Sequence, residues 1–400
     1  MEKILSMNQI NKIRDKEQRK ALNAWAKAGF CGSVIAGTGF GKSRVGVLAV
    51  EYVLSQHVKD IGNALILVPT VQLQDQFVEE FDKWGVPMEN VEVMCYQSAY
   101  KLKNQSYSIV VCDEVHLSLS PEYRKFFKNN MYDNLLCMTA TLPEEQEYKE
   151  LLEKIAPTVY QITLDQCVDL GLISAYNVYC APIKLTDEEE IIYKKANRMF
   201  VRYKYLLGQF DAFDNARAIM NNSKSSSQDK QTAALFYKAI RERKSVVDFA
   251  ENKIGALKQI VMNNKDKKIL TFAGANDFTD QMCAALSPYA TKYHSNMTKK
   301  QKEQNLKDFK ENKYNTLCST KALNQGLNIS DANMGIICGI TSKGLTMIQR
   351  LGRLLRYEEG KTSTIVILYV KDSQEEKWLK NAIKTIDNVL WINKITEINN

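Results

Sequence analysis

The stretch Ala36-Gly37-Thr38-Gly39-Phe40-Gly41-Lys42-Ser43 decides the fold class, because it joins an apolar strand to a helix through a glycine-rich turn. Its glycines allow backbone N–H groups to surround an anion where the helix begins. Lys42 can reach the outer phosphates of a nucleotide, and the Ser43 hydroxyl can hold Mg²⁺. The stretch therefore predicts a phosphate-binding loop between a buried strand and a helix of an α/β fold.

A second motif, Asp113-Glu114-Val115-His116, follows the apolar run at residues 109–112. A strand here would bring both acids to one metal, with Asp113 holding Mg²⁺ through water and Glu114 orienting and deprotonating the attacking water. Read singly, the first motif can be a plain strand-to-helix turn, and acids are common at strand ends. Found together, the two motifs predict hydrolysis of a nucleoside triphosphate.

Composition places the chain among ordinary globular proteins. It has 400 residues, 45% hydrophobic and 25% charged, with a formal net charge of +8 that permits a polyanionic partner without requiring one. Nine cysteines without a Cys-x-x-Cys pair argue against disulfides and zinc, and favour a reducing compartment. The first residues are charged and the apolar runs are only strand-length, so we expect a soluble, cytoplasmic protein that does not contact a membrane.

Strand-like and helix-like patterns alternate in two blocks, which predicts βαβ units and parallel sheets. The expected strands lie at residues 33–36, 64–68, 91–96, 108–112 and 134–138, and at 268–272, 316–319, 334–338 and 364–370. Residues 186–262 lack strand signals and predict two long helices around the serine-rich turn at 222–227. The expected domains are a nucleotide-binding lobe (1–166), a linker and helical insert (167–262) and a second lobe (263–400).

Further motifs follow in a fixed order, at residues 67–77, 96–98, 139–143, 319–328 and 349–356. The ordered set resembles the superfamily two helicases and translocases of the DExH type. Within this superfamily, the chain resembles the branch that contains XPB, the phage recombination helicase UvsW and the motors of type I and III restriction enzymes. It looks most like a compact UvsW-type helicase. The resemblance implies two RecA-like lobes joined by a helical insert, ATP and Mg²⁺ as cofactors, and a bacterial or phage-infected cytoplasm.

The resemblance also assigns roles around the nucleotide. Gln18 matches the adenine-reading glutamine, although it can also be a solvent-facing helix residue. Arg353 and Arg356 match arginine fingers that sense the γ-phosphate across a cleft, with Gln349 in the same catalytic motif; a solvated basic helix face is the alternative. Gly326 and Asn328 match positions that contact the nucleotide. The family commonly has acidic residues where Gln325 and Asn328 stand here, and an asparagine can still hydrogen-bond a ribose.

The resemblance assigns to His116, Thr139 and Thr141 the coupling of ATP hydrolysis to nucleic-acid binding. The two threonines can equally cap a helix, and a lone histidine is more often a core or surface residue. Contacts to nucleic acid fall to residues at strand ends of both lobes, where hydroxyls and helix N-termini grip phosphate without reading sequence. These residues are Pro69, Thr70, Gln97, Ser98, Gly274 and Thr320.

The helical segment has a signal of its own. Lys194, Arg198 and Arg202 are four residues apart and share one helix face, with aromatic residues nearby. Such a face can grip a nucleic-acid strand, with aromatics stacking on bases. It can equally be a solvated face with core aromatics behind it.

These signals favour an ATP-dependent nucleic-acid helicase that unwinds DNA 3′ to 5′, or remodels branches or R-loops, in replication, recombination or repair. DNA is preferred to RNA as the partner, and a monomeric motor with replication or recombination proteins as partners is expected. One alternative is a motor subunit that translocates duplex DNA in a restriction or remodelling complex. Another is an assembly protein whose grip on nucleic acid is switched by nucleotide.

Overall fold

The computed structural model describes residues 7–37, 39–56, 62–140, 142–143, 145–320, 332–341, 362–384, 386 and 388–398. Within these ranges the chain forms two parallel sheets, of six and seven strands. The predicted α/β class with two parallel-sheet lobes is therefore confirmed. No helix in the described ranges is long and apolar enough to cross a membrane, and none of the nine cysteines is in a disulfide.

The first sheet has the strand order β3-β2-β4-β5-β1-β6, and every neighbouring pair is parallel. Its strands are β1 (Cys31–Ala36), β2 (Ala64–Val68), β3 (Val91–Cys95), β4 (Ser106–Asp113), β5 (Met131–Thr139) and β6 (Thr158–Ile162). The central strands are buried almost throughout because helices cover both faces of the sheet.

Helices link these strands and supply the rest of the first core. They are α1 (Met7–Lys27), α2 (Lys42–Ser55), α3 (Val71–Trp84), α4 (Tyr96–Ala99), α5 (Lys125–Asn129), α6 (Gln146–Ile155) and α7 (Leu164–Asp169). Trp25 fixes α1 to the sheet, since its buried indole N–H donates to the Leu135 carbonyl at 2.9 Å. Phe77 and Phe81 place the apolar face of α3 in the same core.

The second sheet has the order β13-β7-β12-β11-β8-β10-β9 and is also parallel. Its strands are β7 (Ala175–Ile183), β8 (Ile269–Phe272), β9 (Ala290–Tyr293), β10 (Thr316–Ser319), β11 (Met334–Ile337), β12 (Thr362–Val370) and β13 (Val389–Trp391). Its covering helices are α11 (Glu251–Met262), α12 (Asn276–Ala285), α13 (Lys299–Lys310) and α14 (Gln374–Ala382). Successive residues along these strands pack into different hydrophobic cores, one on each face of the sheet.

Three helices, α8 (Asp187–Leu206), α9 (Ala212–Asn221) and α10 (Ser227–Asp248), form the helical insert. They enclose a small core of their own, in which Phe236 stacks on Phe200 at 5.6 Å between ring centroids and meets Phe213 edge-on at 5.1 Å. The insert therefore has its own packing and is more than a pair of connecting helices.

The helical region differs from its prediction of two long helices, because four helices fill it. The first break follows Leu206, where Gly208 and Gln209 adopt positive φ angles of 91° and 50° that no α-helix continues through. Ser226 then starts α10 as an N-cap that accepts from the Asp229 N–H. The serine-rich turn is where the sequence indicated it, but it separates α9 from α10.

The strand β7 also changes the expected organisation. Sequence analysis assigned it to the linker and insert, whereas it pairs with β12 over nine residues, from Ala175↔Thr362 to Ile183↔Val370. The insert therefore leaves the second sheet after its first strand and returns to it, rather than bridging the two lobes. The limits of independently folding domains stay a prediction, and this pairing favours starting the second lobe at β7 instead of residue 263.

Candidate nucleotide site

The phosphate loop, the acid motif and Thr139 meet at the carboxyl edge of the first sheet. The strand β5 lies between β1 and β4, with Ile35 opposite Thr139 and Asp113 opposite Met138. The chain segments that follow these three parallel strands therefore leave the sheet side by side. Two motifs separated by about seventy positions in the sequence are brought together in this way.

Backbone geometry explains two of the loop glycines. Gly39 and Gly41 have φ angles of 91° and 85°, which side chains other than glycine rarely adopt. A Cβ at Gly39 would lie 2.4 Å from Cγ2 of Ile173, and one at Gly41 would lie 2.4 Å from Nε2 of Gln18. The backbone conformation therefore requires glycine at both positions, as expected for a loop that curls around an anion, and a Cβ would in addition displace the Ile173 or Gln18 side chain. Gly37 begins this loop, and Thr38 lies outside the described residues.

Lys42 and Ser43 form the first turn of α2, directly after the loop. The Lys42 ammonium donates to the carbonyl of Ala36 at 2.9 Å, so its side chain folds back over the loop. This position puts a positive charge and the helix N-terminus at one place, which is the arrangement that binds phosphate.

The acid pair is asymmetric. Asp113 is buried, and this burial, followed by the neighbouring Glu114 carboxylate, raises its pKa to about 7 while Lys42 opposes the shift. A buried carboxylate beside a second carboxylate is costly unless a cation offsets the charge. The Ser43 hydroxyl at the end of the phosphate loop and the carboxylates of the acid pair are hard oxygen donors, which Mg²⁺ prefers. The residues present therefore fit a magnesium ion held together with nucleotide phosphates.

We predict that Asp113→Asn stabilises the protein in the absence of nucleotide and metal, and increasingly so as pH rises. Between the unfolded pKa of 3.8 and the folded value of about 7, the unfolded chain has lost a proton that the folded chain retains. Ionisation therefore destabilises the folded state from pH 4 upward and fully above pH 7, by on the order of a few kcal/mol. Asparagine has no such ionisation.

Denaturant unfolding at pH 5, 6.5 and 8 measures this effect. The exposed Asp133→Asn is the matched control and should shift stability little at any pH. A stability difference between Asp113→Asn and the wild type that stays constant across the three pH values would contradict the proposed burial cost.

The second acid, Glu114, belongs to a hydrogen-bonded chain. The Thr139 hydroxyl donates to Oε2 of Glu114 at 3.2 Å, and Nδ1 of His116 lies 3.1 Å from that hydroxyl and 3.4 Å from Oε2. Glu114 itself is in the left-handed region, with a φ of 49°, a conformation that stores strain at functional positions. The structure thus brings together three residues that the sequence linked to hydrolysis and coupling, while Thr141 lies outside the described residues.

Gln18 contacts the phosphate loop rather than solvent. Its buried amide Nε2 donates to the carbonyls of Phe40 at 2.8 Å and Gly41 at 3.2 Å, and its Oε1 accepts from Arg44 at 2.6 Å. The alternative of a solvent-facing glutamine is therefore wrong. Its adenine-reading role stays a prediction, because both ends of the amide are bonded within the protein.

Two arginines that sequence analysis did not single out complete this region. Arg44 follows Ser43, bonds Asp15 at 2.6 Å and lies 4.1 Å above the ring of Trp84. Arg14 donates to the carbonyls of Gly39 and Leu172, both at 3.2 Å. The only sequence signal was the position of Arg44 next to the loop, since the partners of both arginines come from distant segments.

The predicted contacts to nucleic acid lie at the carboxyl edges of both sheets. Thr70 is the N-cap residue of α3, after buried Pro69, and Gln97 and Ser98 are exposed on α4. The hydroxyl of Tyr96, beside them, donates to the Asp113 carbonyl at 2.8 Å, which joins α4 to the acid motif. Tyr96 belongs to the predicted motif at residues 96–98, but its bond to Asp113 was not anticipated from the sequence.

In the second lobe, Gly274 follows β8 and Thr320 follows β10, two neighbouring strands. The Thr320 hydroxyl donates to Oδ1 of Asn276 at 2.9 Å, and the Asn276 amide donates to Ser295 and Asn296 at the same distance. Asn276 thus orders three loop residues at one edge. The remaining predicted residues of this lobe lie outside the described residues: Gly326, Asn328, Gln349, Arg353 and Arg356.

On the insert, Lys194, Arg198 and Arg202 are exposed on α8, as their spacing predicts. Lys194 already pairs with Glu190 at 2.6 Å. Tyr193 is buried and Phe200 packs in the insert core, so neither ring faces solvent for stacking on bases. For these two aromatics the interpretation as core residues is correct, whereas Tyr205 is 73% exposed. Its stacking on bases and the role of the basic residues stay predictions.

Comparison with known protein families gives one match in each α/β block. Residues 15–107 match the DEAD/DEAH box helicase domain, and residues 252–358 match the helicase conserved C-terminal domain. The first match includes the phosphate loop, and the second spans the positions of Gln349, Arg353 and Arg356.

Curated relatives include DNA translocases and helicases. The chain is 24% identical over 370 residues to the DNA 3′-5′ translocase XPB2 of Sulfurisphaera tokodaii, covering 88% of this chain and 80% of that protein. It is 23% identical over 201 residues to the ATP-dependent DNA helicase fml1 of Schizosaccharomyces pombe, covering 50% of this chain and 25% of that protein.

Solved structures share the architecture at low sequence identity. The helicase domain of Pyrococcus furiosus Hef superimposes with a TM-score of 0.55 at 16% identity, covering 92% of this chain and 98% of that one. The type ISP restriction-modification enzyme LlaBIII bound to DNA gives 0.60 at 14% identity, covering 98% and 31%. The two lobes are therefore RecA-like in fold.

Proposed function

We propose that this chain is an ATP-dependent helicase of superfamily two that unwinds or remodels DNA with 3′-to-5′ polarity. The similarity to a DNA 3′-5′ translocase over most of both chains supports the polarity and the choice of DNA. We further propose a place in the branch that contains XPB and UvsW, with branched DNA or R-loops in replication, recombination or repair as substrates.

One observation carries the proposal: the acid that would activate water is bonded to residues that lead away from the nucleotide. Glu114 accepts from Thr139 at the end of β5, and the acid motif also accepts from Tyr96, which precedes the exposed Gln97 and Ser98. A shift in nucleic acid held at α4 can therefore reach the backbone of the acid motif through the Tyr96 bond to the Asp113 carbonyl, while the Thr139 bond ties the neighbouring Glu114 carboxylate to the end of β5.

Each residue then has a separate task in hydrolysis. The phosphate loop and Lys42 bind and orient the triphosphate. Glu114, held by Thr139 and His116, orients the attacking water and takes its proton. Ser43 and Asp113 would hold a magnesium ion, which neutralises charge on the phosphates when bound. Arg353 and Arg356 of the second lobe would stabilise the charge that develops during transfer.

Nucleic acid would lie across the carboxyl edges of both sheets. Thr70 and Ser98 in the first lobe, with Gly274 and Thr320 in the second, offer hydroxyl and backbone groups suited to phosphate. Closing of the lobes around ATP and reopening after hydrolysis would then move the strand stepwise. The protein acts as a monomer in this scheme, because both lobes are on one chain.

A second candidate is translocation along duplex DNA without strand separation, favoured by the name of the translocase that the chain matches over most of its length. Strand displacement from a forked duplex and third-strand displacement from a triplex distinguish the two. We expect ATP-dependent release of one strand from the forked duplex and of the third strand from the triplex. Release of only the third strand would replace unwinding by translocation, and release of neither would reject the motor function.

We predict that changing Lys194, Arg198 and Arg202 together to Ala weakens DNA binding and lowers the dependence of that binding on salt. Each lost phosphate contact should lower the slope of log affinity against log salt by roughly 0.7 to 0.9. Fluorescence anisotropy between 50 and 300 mM salt measures the slope. The control removes the same charge from α13, at Lys299, Lys300 and Lys307. An unchanged slope in the insert variant would make these residues a solvated face only.

A further inference from the structure

A completely buried ion pair joins two helices that cover the second sheet, next to the end of the insert. Lys253 of α11 and Glu375 of α14 have no solvent exposure, and Nζ of Lys253 lies 2.9 and 2.8 Å from the two carboxylate oxygens of Glu375. Lysine and glutamate are almost never fully buried unless they are paired. The nucleotide chemistry described above makes no use of either residue.

The remaining bonds of the pair go to the backbone. The Lys253 ammonium donates to the carbonyls of Val247 and Cys338, both at 2.8 Å. The Glu375 carboxylate accepts from the N–H groups of Val370 at 2.9 Å and Ile340 at 3.4 Å. Two side chains thus fix backbone positions in the last turn of α10, after β11 and at the end of β12.

These positions surround a functional segment of the sequence. Ile340 and Val370, which donate to the same carboxylate, lie on either side of the predicted finger residues Arg353 and Arg356 in the chain. Val247, on the other side of Lys253, belongs to the final helix of the insert. The ion pair is therefore the place where the insert and both flanks of the finger-bearing segment are bonded together.

Close backbone packing extends this junction to a predicted nucleic-acid contact. Asp248 is buried beside Val247, and a Cβ on Gly274 would lie 2.8 Å from its Oδ1. A Cβ on Gly339 would lie 2.2 Å from the backbone N of Gly274. These segments are in close contact, so a shift of Gly274 towards Asp248 or Gly339 displaces that residue as well.

The energetics suggest a role other than stability. Burial raises the pKa of Glu375, with Lys253 opposing the shift, so the charged pair is maintained against a desolvation cost. Buried ion pairs can often be replaced by uncharged residues of similar size without loss of stability. A pair that is bonded to four backbone groups instead contributes geometry.

We propose that Lys253 and Glu375 are positioning residues that transmit nucleic-acid engagement at Gly274 and the insert to the segment carrying the arginine fingers. The inference rests on the proposed motor function. In the DNA-bound state the pair holds the flanks of the finger segment in register with the insert, and the stimulation of ATP hydrolysis by DNA depends on that register.

The test compares the wild type with a double variant that combines Lys253→Met and Glu375→Gln. Both replacements are uncharged and close in volume to the original side chains. ATP turnover is measured with and without single-stranded DNA, together with DNA affinity and the thermal midpoint. We expect DNA-stimulated turnover to fall roughly 10- to 100-fold, as for a small misplacement of catalytic groups, while basal turnover and DNA affinity change much less. The matched control makes the same substitutions in the exposed pair Lys299 and Glu303 of α13 and should retain full stimulation.

An equal loss of basal and stimulated turnover, accompanied by a lower thermal midpoint, would mean a purely structural role and overturn the proposal, as would unchanged stimulation. Hydrogen exchange in the wild type gives a second measurement that needs no variant. Adding single-stranded DNA with a non-hydrolysable ATP analogue should change the protection of the Ile340 and Val370 amides, and constant protection counts against the proposal. Absence of any DNA stimulation in the wild type would instead reject the motor function itself.

Discussion

Glu114→Gln is expected to reduce ATP turnover by about three orders of magnitude while leaving ATP affinity nearly unchanged. Glutamine keeps the size of the side chain and an oxygen that accepts from the Thr139 hydroxyl, which bonds Glu114 at 3.2 Å. It cannot take a proton from water, and loss of a general base typically costs 10²- to 10⁴-fold. The variant should therefore accumulate in a state with both ATP and DNA bound.

Two comparisons make this result specific. Lys42→Ala removes the positive charge at the phosphate loop, so it should weaken ATP binding as well as turnover. Glu122→Gln, at a surface glutamate that bonds Lys125, should behave like the wild type. Nucleotide affinity by fluorescence titration and turnover by phosphate release separate these cases. An equal loss of ATP affinity in the Glu114 and Lys42 variants would refute the division of roles between binding and hydrolysis.

Arg353→Ala is expected to lower ATP turnover roughly 10³-fold with little effect on DNA affinity, because a missing arginine finger removes charge stabilisation only during phosphoryl transfer. Steady-state turnover at saturating DNA, with DNA affinity measured in parallel, tests this. The exposed Arg217 of the insert, changed to Ala, serves as the control for loss of one arginine. Normal hydrolysis by the Arg353 variant would mean that the second lobe does not complete the nucleotide site.

Sequence patterns predicted the centre of the first lobe well. The strands β2 and β10 have the same bounds in the sequence prediction and in the structure, because apolar runs are local signals. Short or partly exposed strands escaped detection. The strand β6 carries polar residues and has only one buried position, β9 consists of Ala-Thr-Lys-Tyr and so lacks an apolar run, and β13 has three residues.

The misassigned strand β7 has a different cause. Its apolar character was present in the sequence, but its partner β12 lies almost two hundred positions away, and no local pattern states which sheet a strand joins. The same limit applies to side chains. Glycine and lysine spacing identified the phosphate loop, whereas the bonds of Arg14, Arg44 and Tyr96 depend on contacts between distant segments.

The buried pair of Lys253 and Glu375 shows this limit most clearly. Each residue, seen in the sequence, resembles an ordinary charged position on an amphipathic helix, and α13 alone carries several that are exposed. Only the fold reveals that these two are enclosed where the insert meets the second sheet. Functional motifs could be predicted because their chemistry is local in sequence, and the connections between them could not.

The most direct test of the account measures ATP turnover by the wild type and by Glu114→Gln, each with and without single-stranded DNA. If the nucleotide site drives a nucleic-acid motor, DNA should raise wild-type turnover at least about tenfold, and the variant should stay inactive while binding DNA in the presence of ATP. Wild-type turnover that is the same with and without DNA would contradict the coupling of the two sites, and turnover that survives in Glu114→Gln would contradict the assignment of the hydrolytic residue.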